Sequence, residues 1–318
     1  MKKIVIALGG NAIKQADQKG SYEEQLENVY KTSKEIVKLI KEGFKVVVTH
    51  GNGPQAGSLL IQQEAGSKEV PAMNLDAVGA MTQGQIGYMM LQTLTNELKK
   101  ANLDNKAVSV VNQVLVDKND EAFKDLTKPV GPFYNKAQAE ELKTTKPTWV
   151  MKEVKPETVE NRFRRVVASP VPIRNIEEDA IKMMVESGLT VIASGGGGVP
   201  VIEDDNGMLQ GVAAVIDKDL AGERLATMLD ADAYVILTDV KNVFVNYAKE
   251  NQTSLNEETL ESLTKYQEDG HFAAGSMGPK VNAAMEFVKN GGKRSIITSL
   301  DNAYDALING SGTQVTSK

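Results

Sequence analysis

The 318-residue sequence contains no cysteine. Disulfides, thiolate metal centres and a cysteine nucleophile are therefore excluded. Histidine is almost as scarce: His50 and His271 are the only two. No H-E-x-x-H pattern is present, so a metalloprotease-type zinc site is excluded. The G-x-S-x-G elbow of many serine hydrolases is also missing. No stretch approaches the ~20 apolar residues of a membrane span, and no membrane partner is expected. Lys2 and Lys3 precede an apolar run too short for a secretory signal, and a cytoplasmic location is expected. Basic charge is not in excess. Lys and Arg total 36 against 42 Asp and Glu, a net charge of −6, with a pI of about 5.3. That balance argues against a general nucleic-acid binder, while a local basic site stays compatible with it.

What remains is ordinary globular composition, 41% apolar and 25% charged, in a chain long enough for two domains or one large α/β unit. KIVIALGG reads as a buried strand running into glycines. SYEE, Ser21 to Glu24, is a capping box. Leu26, Val29, Tyr30, Ser33, Ile36, Val37 and Ile40 then recur at helical spacing until Gly43. FKVVVTH is a second strand, followed by GNGPQAG with Pro54 at a helix start. Asp76 is the expected cap of a long helix through Ala101, with Met81, Ile86, Met89, Met90 and Leu94 on its apolar side. AVSVVNQVLVD reads as one strand. NIEEDAIKMMVESG reads as a helix capped by Asn175. LTVIAS, AYVILT and RSIITS are further strands, and GSMGPKVNAAMEFVKNGG is a helix. Strands alternating with helices predict a mainly parallel sheet covered on both faces.

The alternation fails between about Asp117 and Pro172. This segment is polar and holds six prolines, Pro129, Pro132, Pro147, Pro156, Pro170 and Pro172. Linker and inserted subdomain are both open readings. FKDLTKPVGPFY and RRVVAS favour the subdomain, because a structureless loop of that length is uncommon inside a domain.

Three strands end in glycine: VIALGG–N, VVVTHGNG–P and VIASGGGG–V. In an open α/β sheet ligands bind beyond the carboxyl ends of the strands. Bare backbone N–H groups there, with helix N-termini, can cradle an anion. One such junction is no more than a tight turn; three together point to an anion site of phosphate type. The Walker P-loop pattern is absent, since NGGKRS lacks the upstream glycine and the following hydroxyl. A dinucleotide-binding reading of GNGPQAG lacks the acidic residue expected ~20 positions on. Lys218, between Asp217 and Asp219, interrupts an apolar stretch at a helix start. Lys280 falls in the first turns of a helix, and Lys128 lies beside a proline in the irregular segment. Taken singly each reads as a solvated lysine. Phosphoryl transfer, however, needs cations around the moving group and little covalent help. His50 beside GNGP is as easily structural as ligand-binding, and His271 reads as packing.

In order along the chain, IALGGNA, THGNGPQAG, AMTQGQIGYMM, TKPVGPFY, SGGGGVPV, AVIDKDLA, YVILTDV and GHFAAGSMGPK resemble the carbamate kinases of the amino-acid kinase family. The likeness runs over nearly the whole chain. HGNGPQ, TKPVGPF and AVIDKD are its narrower markers; the N-terminal glycines, the glycine-rich strand end and L-T-D-V are shared with acetylglutamate, glutamate and uridylate kinases. The resemblance implies an α/β fold, a three-layer αβα sandwich around a mainly parallel central sheet with two lobes and a small protruding lid. Residues 1–212 would form the lobe binding carbamoyl phosphate, with 117–172 as the lid, and 213–318 the nucleotide lobe.

It further implies that Gly9, Gly10 and Asn11 lie against the transferring phosphoryl group. Gly51, Asn52, Gly53, Gly195 and Gly196 would hold the acyl-phosphate substrate, with Lys128 descending from the lid. Lys218 and Lys280 would neutralise phosphate charge, oriented by Asp219. Thr238, Asp239, Tyr247, Ala274, Gly275, Ser276 and Met277 would line the nucleotide site, where Ala274 replaces the family's usual proline. ATP or ADP as co-substrate, Mg²⁺ and a homodimer are implied as well; Mg²⁺ is expected to be held mostly by phosphates and water, so no protein metal ligand is named. Two alternatives stay open: an amino-acid kinase acting on a carboxylate such as acetylglutamate, and a non-catalytic nucleotide and carbamoyl-phosphate sensor. The motif TKPVGPFY counts against the first and the presence of all three lysines against the second.

Overall fold

A computed structural model describes residues 2–273 and 275–317. The first part of the chain forms β1 (Lys3–Leu8), α1 (Tyr22–Lys41), β2 (Lys45–His50), α2 (Gly53–Gly66), α3 (Leu75–Lys100), β3 (Ala107–Ser109) and β4 (Gln113–Val116). The irregular segment folds as β5 (Lys128–Tyr134), α4 (Lys136–Thr145), β6 (Val150–Glu153) and β7 (Phe163–Val167). Next come β8 (Pro172–Asn175), α5 (Glu178–Glu186), β9 (Thr190–Ile192), β10 (Val199–Glu203), β11 (Leu209–Gly211) and α6 (Lys218–Met228). The last part holds β12 (Ala233–Thr238), β13 (Phe244–Val245), β14 (Thr253–Ser254), β15 (Glu257–Thr259), α7 (Leu260–Glu268), α8 (Met277–Lys289), β16 (Ser295–Ser299), α9 (Ala303–Asn309) and β17 (Thr313–Thr316).

Eight strands form the central sheet in the order β15-β17-β16-β12-β1-β2-β9-β3. Every neighbouring pair is parallel except β16 with β17. Because side chains alternate along a strand, β1 feeds two cores. Val5 and Ala7 join Val47, Val191, Tyr234 and Ile236 on one face, beneath Ile181 of α5, Leu225 of α6 and Phe287 of α8. Ile4, Ile6 and Leu8 join Val46, Val48 and Val235 on the other, beneath Ile36 of α1 and Ile86 and Met89 of α3. Burial on both faces is why these strands read as unbroken apolar runs. The Ser21–Glu24 capping box forms at the start of α1.

Three local expectations are corrected. The long helix α3 starts at Leu75 with Asn74 as its N-cap, and Asp76 sits in the first turn, where a carboxylate favours the helix dipole. Met81 is exposed rather than core-facing. AVSVVNQVLVD is two strands in two sheets: β3 pairs with β9 in the central sheet, and β4 pairs with β8 and β10 in a four-stranded sheet. The break is at Asn112, fully buried, which leaves the ladder for side-chain partners. Its N–H donates to Gln83 Oε1 at 2.9 Å, its Nδ2 to Asn175 Oδ1 at 2.8 Å, and its Oδ1 accepts the Ser194 N–H at 2.6 Å. Asn175 belongs to this network and caps nothing; the residue at the α5 N-cap is Glu177, whose carboxylate accepts from Gln113 instead.

The segment from about Asp117 to Pro172 is a small structured unit. Its strands form a separate antiparallel sheet, β5-β7-β6, with Tyr134, Ala139 and Met151 as its own core. Tyr134 donates a hydrogen bond to Glu64 of α2, tying the unit to the body.

Candidate active site

The carboxyl ends of β1, β2 and β9 carry the three glycine junctions. After β1, Gly9 leads into a short 3₁₀ turn over Gly10–Ala12. A Cβ on Gly9 would come within 2.8 Å of the Leu237 carbonyl oxygen of β12, so only glycine lets these strand ends lie this close. After β2, Asn52 is the N-cap of α2, and its Nδ2 donates to Thr82 Oγ1 at 2.8 Å. Gly51 packs against the aliphatic stem of Lys218, which a Cβ would meet at 3.2 Å.

The run Gly195–Gly198 has a backbone explanation at each position. Gly196, Gly197 and Gly198 have φ of +67°, +96° and +84°, a region that side-chain-bearing residues seldom enter. A Cβ would overlap the His50 ring at Gly195, the Asn52 amide at Gly196 and the Val114 side chain at Gly198; at Gly197 it would stand 2.5 Å from the Ile216 carbonyl oxygen. Side chains pin the turn from below: Thr49 Oγ1 donates to the Ser194 carbonyl at 2.9 Å and Gln83 Nε2 to the Gly195 carbonyl at 3.0 Å. The glycines therefore allow the chain to fold over its own neighbours, and Gly196 and Gly198 line an open cavity.

Helix α6 brings the charged groups together. Asp217 is its N-cap, with Oδ1 accepting the Asp219 and Leu220 N–H groups at 2.9 and 3.4 Å. Asp219 is 2% exposed. One of its oxygens pairs with Lys218, and the other lies 3.4 Å from Lys280 Nζ on α8. Burial alone would push the Asp219 carboxyl up, but the two lysines outweigh it and hold the group below the usual carboxylate range. Lys128, at the start of β5, lies with its Nζ 3.6 Å from Asp217 Oδ2. All three candidate lysines thus converge on two carboxylates of one helix start.

Two cavities flank this cluster. The larger, about 390 Å³, is lined by Gly9, Gly10, Asn11, Lys218 and Lys280 on its charged side. Thr238, Asp239, Val240, Phe244, Tyr247, His271, Ala273, Ser276 and Met277 also line it among the described residues. The Phe244 and Tyr247 rings lie 6.1 Å apart, giving a partly aromatic wall. The smaller, about 140 Å³, lies under the inserted unit, with Asn52, Gly53, Gly196, Lys128 and Arg164 in its lining. Gly51 and Gly195 act as packed supports and line neither. Gly275 is exposed at the approach to α8 and is not among the lining residues, while Ala274 lies outside the described residues.

Sequence reasoning left out Val240, Phe244, His271 and Ala273 of the larger cavity and Arg164 of the smaller. Arg164 donates to the Gly131 carbonyl at 2.7 Å through one guanidinium nitrogen. The NRFRRV stretch was its only sequence signal. Asp217 was visible only as a flank of Lys218. His50 is buried, and its Nδ1 donates to the Gly51 carbonyl at 2.9 Å. Burial pushes its pKa down to about 4, so it is neutral at physiological pH and serves as packing.

The profile of the amino acid kinase family matches residues 2–299. The chain belongs to that family, and it is a kinase, a phosphotransferase. The carbamate kinases of Pyrococcus horikoshii and Pyrococcus furiosus are each 52% identical to it, over 99% of this chain and 99% of theirs. The solved structure of carbamate kinase from Giardia lamblia bound to AMP-PNP superposes with a TM-score of 0.94 at 45% identity, covering 99% of this chain and 98% of that one. No helix among the described residues is long and apolar enough to cross a membrane.

Proposed function

We propose that the protein acts as a carbamate kinase, moving a phosphoryl group between carbamoyl phosphate and ADP. The observation that carries this reading is the convergence of Lys128, Lys218 and Lys280 on Asp217 and Asp219 between two cavities of unequal size. The larger, with its aromatic wall, suits ADP or ATP. The AMP-PNP complex of the Giardia relative supports a nucleotide there. The smaller suits carbamoyl phosphate, held by Asn52, Gly53 and Gly196, with Gly51 and Gly195 as supports and Lys128 above.

In the ATP-forming direction the bond from phosphorus to the carbamate oxygen breaks, and one to the terminal oxygen of ADP forms. The acceptor oxygen is already ionised, so no general base is required. A buried neutral His50 agrees with that. The work left to the protein is alignment and charge stabilisation. Lys218, Lys280 and the turn of Gly9, Gly10 and Asn11 face the transferring group, while Asp219 keeps the lysines in place. The lid, by covering the acyl phosphate, would keep water from hydrolysing it. Asp239 is the one carboxylate among the described residues lining the larger cavity, and both oxygens of Asp219 are engaged by lysines. Such a donor set fits a Mg²⁺ ion bound chiefly by nucleotide phosphates and water, with Asp239 as the carboxylate that the cavity lining could add. Bound there, the ion would screen charge on the nucleotide. Family likeness also supports a cytoplasmic homodimer that forms ATP at the end of fermentative arginine breakdown, with residues 1–212 and 213–318 as its two lobes.

The test is ATP formation from ADP, Mg²⁺ and carbamoyl phosphate, read by a hexokinase-coupled assay. Acetyl phosphate with ADP, and acetylglutamate with ATP, run in parallel. Turnover with carbamoyl phosphate well above both is expected. Turnover confined to acetylglutamate would move the protein to another branch of the family. Binding of both substrates without turnover would make it a sensor.

A further inference from the structure

We propose that Asp217 is a positioning residue that sets the lid lysine, Lys128, over the smaller cavity, an inference that rests on the assignment of that cavity to the acyl phosphate. The two oxygens of Asp217 have separate tasks. Oδ1 caps α6 by accepting the Asp219 and Leu220 N–H groups. Oδ2 faces Lys128 Nζ at 3.6 Å. The cap fixes the carboxylate on the helix that also carries Lys218 and Asp219. Lys128 comes from a different sheet, joined to the body largely through its own packing against α2 and the Tyr134–Glu64 hydrogen bond.

A lysine on a four-carbon stem has substantial rotamer freedom, and holding it in one place before the substrate arrives removes an ordering cost from binding. The side chains of Lys128 and Asp217 are 40% and 19% exposed, so solvent weakens the pair without abolishing it. Asp217 sits one residue from Lys218 and two from Asp219. Its carboxylate therefore ties the inserted unit to the helix start that organises the other two lysines. The geometry is a relay of charges, Lys128 to Asp217 on one side of the helix end, and Lys218 and Lys280 to Asp219 on the other.

Asp217→Asn separates the two tasks, because asparagine caps a helix about as well as aspartate and carries no charge. Its thermal midpoint is expected to stay close to the parent's, whereas Asp217→Ala loses the cap and should fall. With carbamoyl phosphate, kcat/KM of Asp217→Asn is expected to drop about 2- to 5-fold, with the KM for ADP unchanged. In a Lys128→Ala background the same substitution should have no further effect. An equal drop in both backgrounds, or a rise in kcat/KM because Lys128 has been set free, overturns the proposal. A second readout needs no substrate: competitive acylation of surface amines, quantified by peptide mass spectrometry. Lys128 should label faster in Asp217→Asn than in the parent. An unchanged rate overturns the pairing whether or not carbamoyl phosphate is the substrate. Absence of turnover by the parent overturns only the functional assignment.

Discussion

Asp219 is shared between two lysines from different helices: its carboxylate pairs through one oxygen with Lys218 of α6 and through the other with Lys280 of α8. The three side chains are largely buried, at 3%, 16% and 17% side-chain exposure. Removing the single anion leaves two cations close together without compensation, which is costly in a partly desolvated site. Asp219→Asn is therefore expected to fold with a lowered thermal midpoint and to lose about 10²-fold or more in kcat, the scale seen when one aligned charge-stabilising group is lost. Steady-state kinetics beside circular dichroism checks this. A folded variant with near-parental kcat would mean the lysines hold position without it.

The two outer lysines should separate by substrate. Lys128 lines only the smaller cavity and Lys280 only the larger. Lys128→Ala is expected to lower turnover by about 10-fold or more while leaving ADP affinity nearly intact. Lys280→Ala is expected to weaken nucleotide binding by a similar factor. Steady-state kinetics reads the turnover, and isothermal titration with ADP reads the nucleotide affinity of both variants. Loss of ADP binding in Lys128→Ala would show that the inserted unit reaches the nucleotide cavity, and a normal ADP affinity in Lys280→Ala would remove that lysine from the nucleotide site.

How far the sequence disclosed this site depends on the range of the interactions. KIVIAL and AYVILT were legible because a strand buried on both faces must be apolar throughout. The capping box at Ser21 was legible because its partners are three residues apart. Asn112, Asn175 and Ser194 were not, since they satisfy one another across 63 and 82 positions, and buried polar pairing of that kind leaves no periodic trace. That network is what splits AVSVVNQVLVD and deprives α5 of its expected cap. The D-K-D cluster was visible as an anomaly, but its division of labour was not: nothing local tells which aspartate caps the helix and which turns to the lysines. Phe244, in the two-residue strand β13, and Val240, in the loop before it, belong to the same class, as apolar residues with no signature until the cavity they line is formed.

The glycines should divide by substitution in the same way. Gly197 has φ of +96° and a Cβ there would approach the Ile216 carbonyl to 2.5 Å. Gly197→Ala is therefore expected to cost about 2 kcal/mol or more, combining left-handed strain with the clash. Gly53 is different, in the first turn of α2 with nothing within 4 Å of the place a Cβ would take. Gly53→Ala should leave stability unchanged or raised, since alanine favours helix over glycine by up to ~1 kcal/mol. Gly53 lines the smaller cavity, so a methyl added there is expected to raise the KM for carbamoyl phosphate. Urea unfolding and kinetics on the two variants test both halves. Unaltered kinetics in Gly53→Ala would mean that the substrate does not approach that backbone.

His50 makes stability depend on pH. It is fully buried, and burial lowers its pKa from 6.5 to about 4, with Lys218 nearby acting in the same direction. Between those values the unfolded chain binds a proton that the folded chain refuses. Stability attributable to the neutral ring is therefore complete above about pH 6.5 and is lost as the pH falls towards about 4, where the loss amounts to about 3 kcal/mol. Asp219 works in the same sense at lower pH, because its depressed pKa keeps it charged when folded. Urea midpoints at pH 7, 5.5 and 4.5 should fall in that order. In His50→Gln, which has no titrating ring, the absolute stability should be lower at pH 7 but its decline towards pH 4.5 shallower. An equally steep decline in the variant would place the acid sensitivity elsewhere, and the ring under Gly195 would then be exchanging protons freely in the folded state.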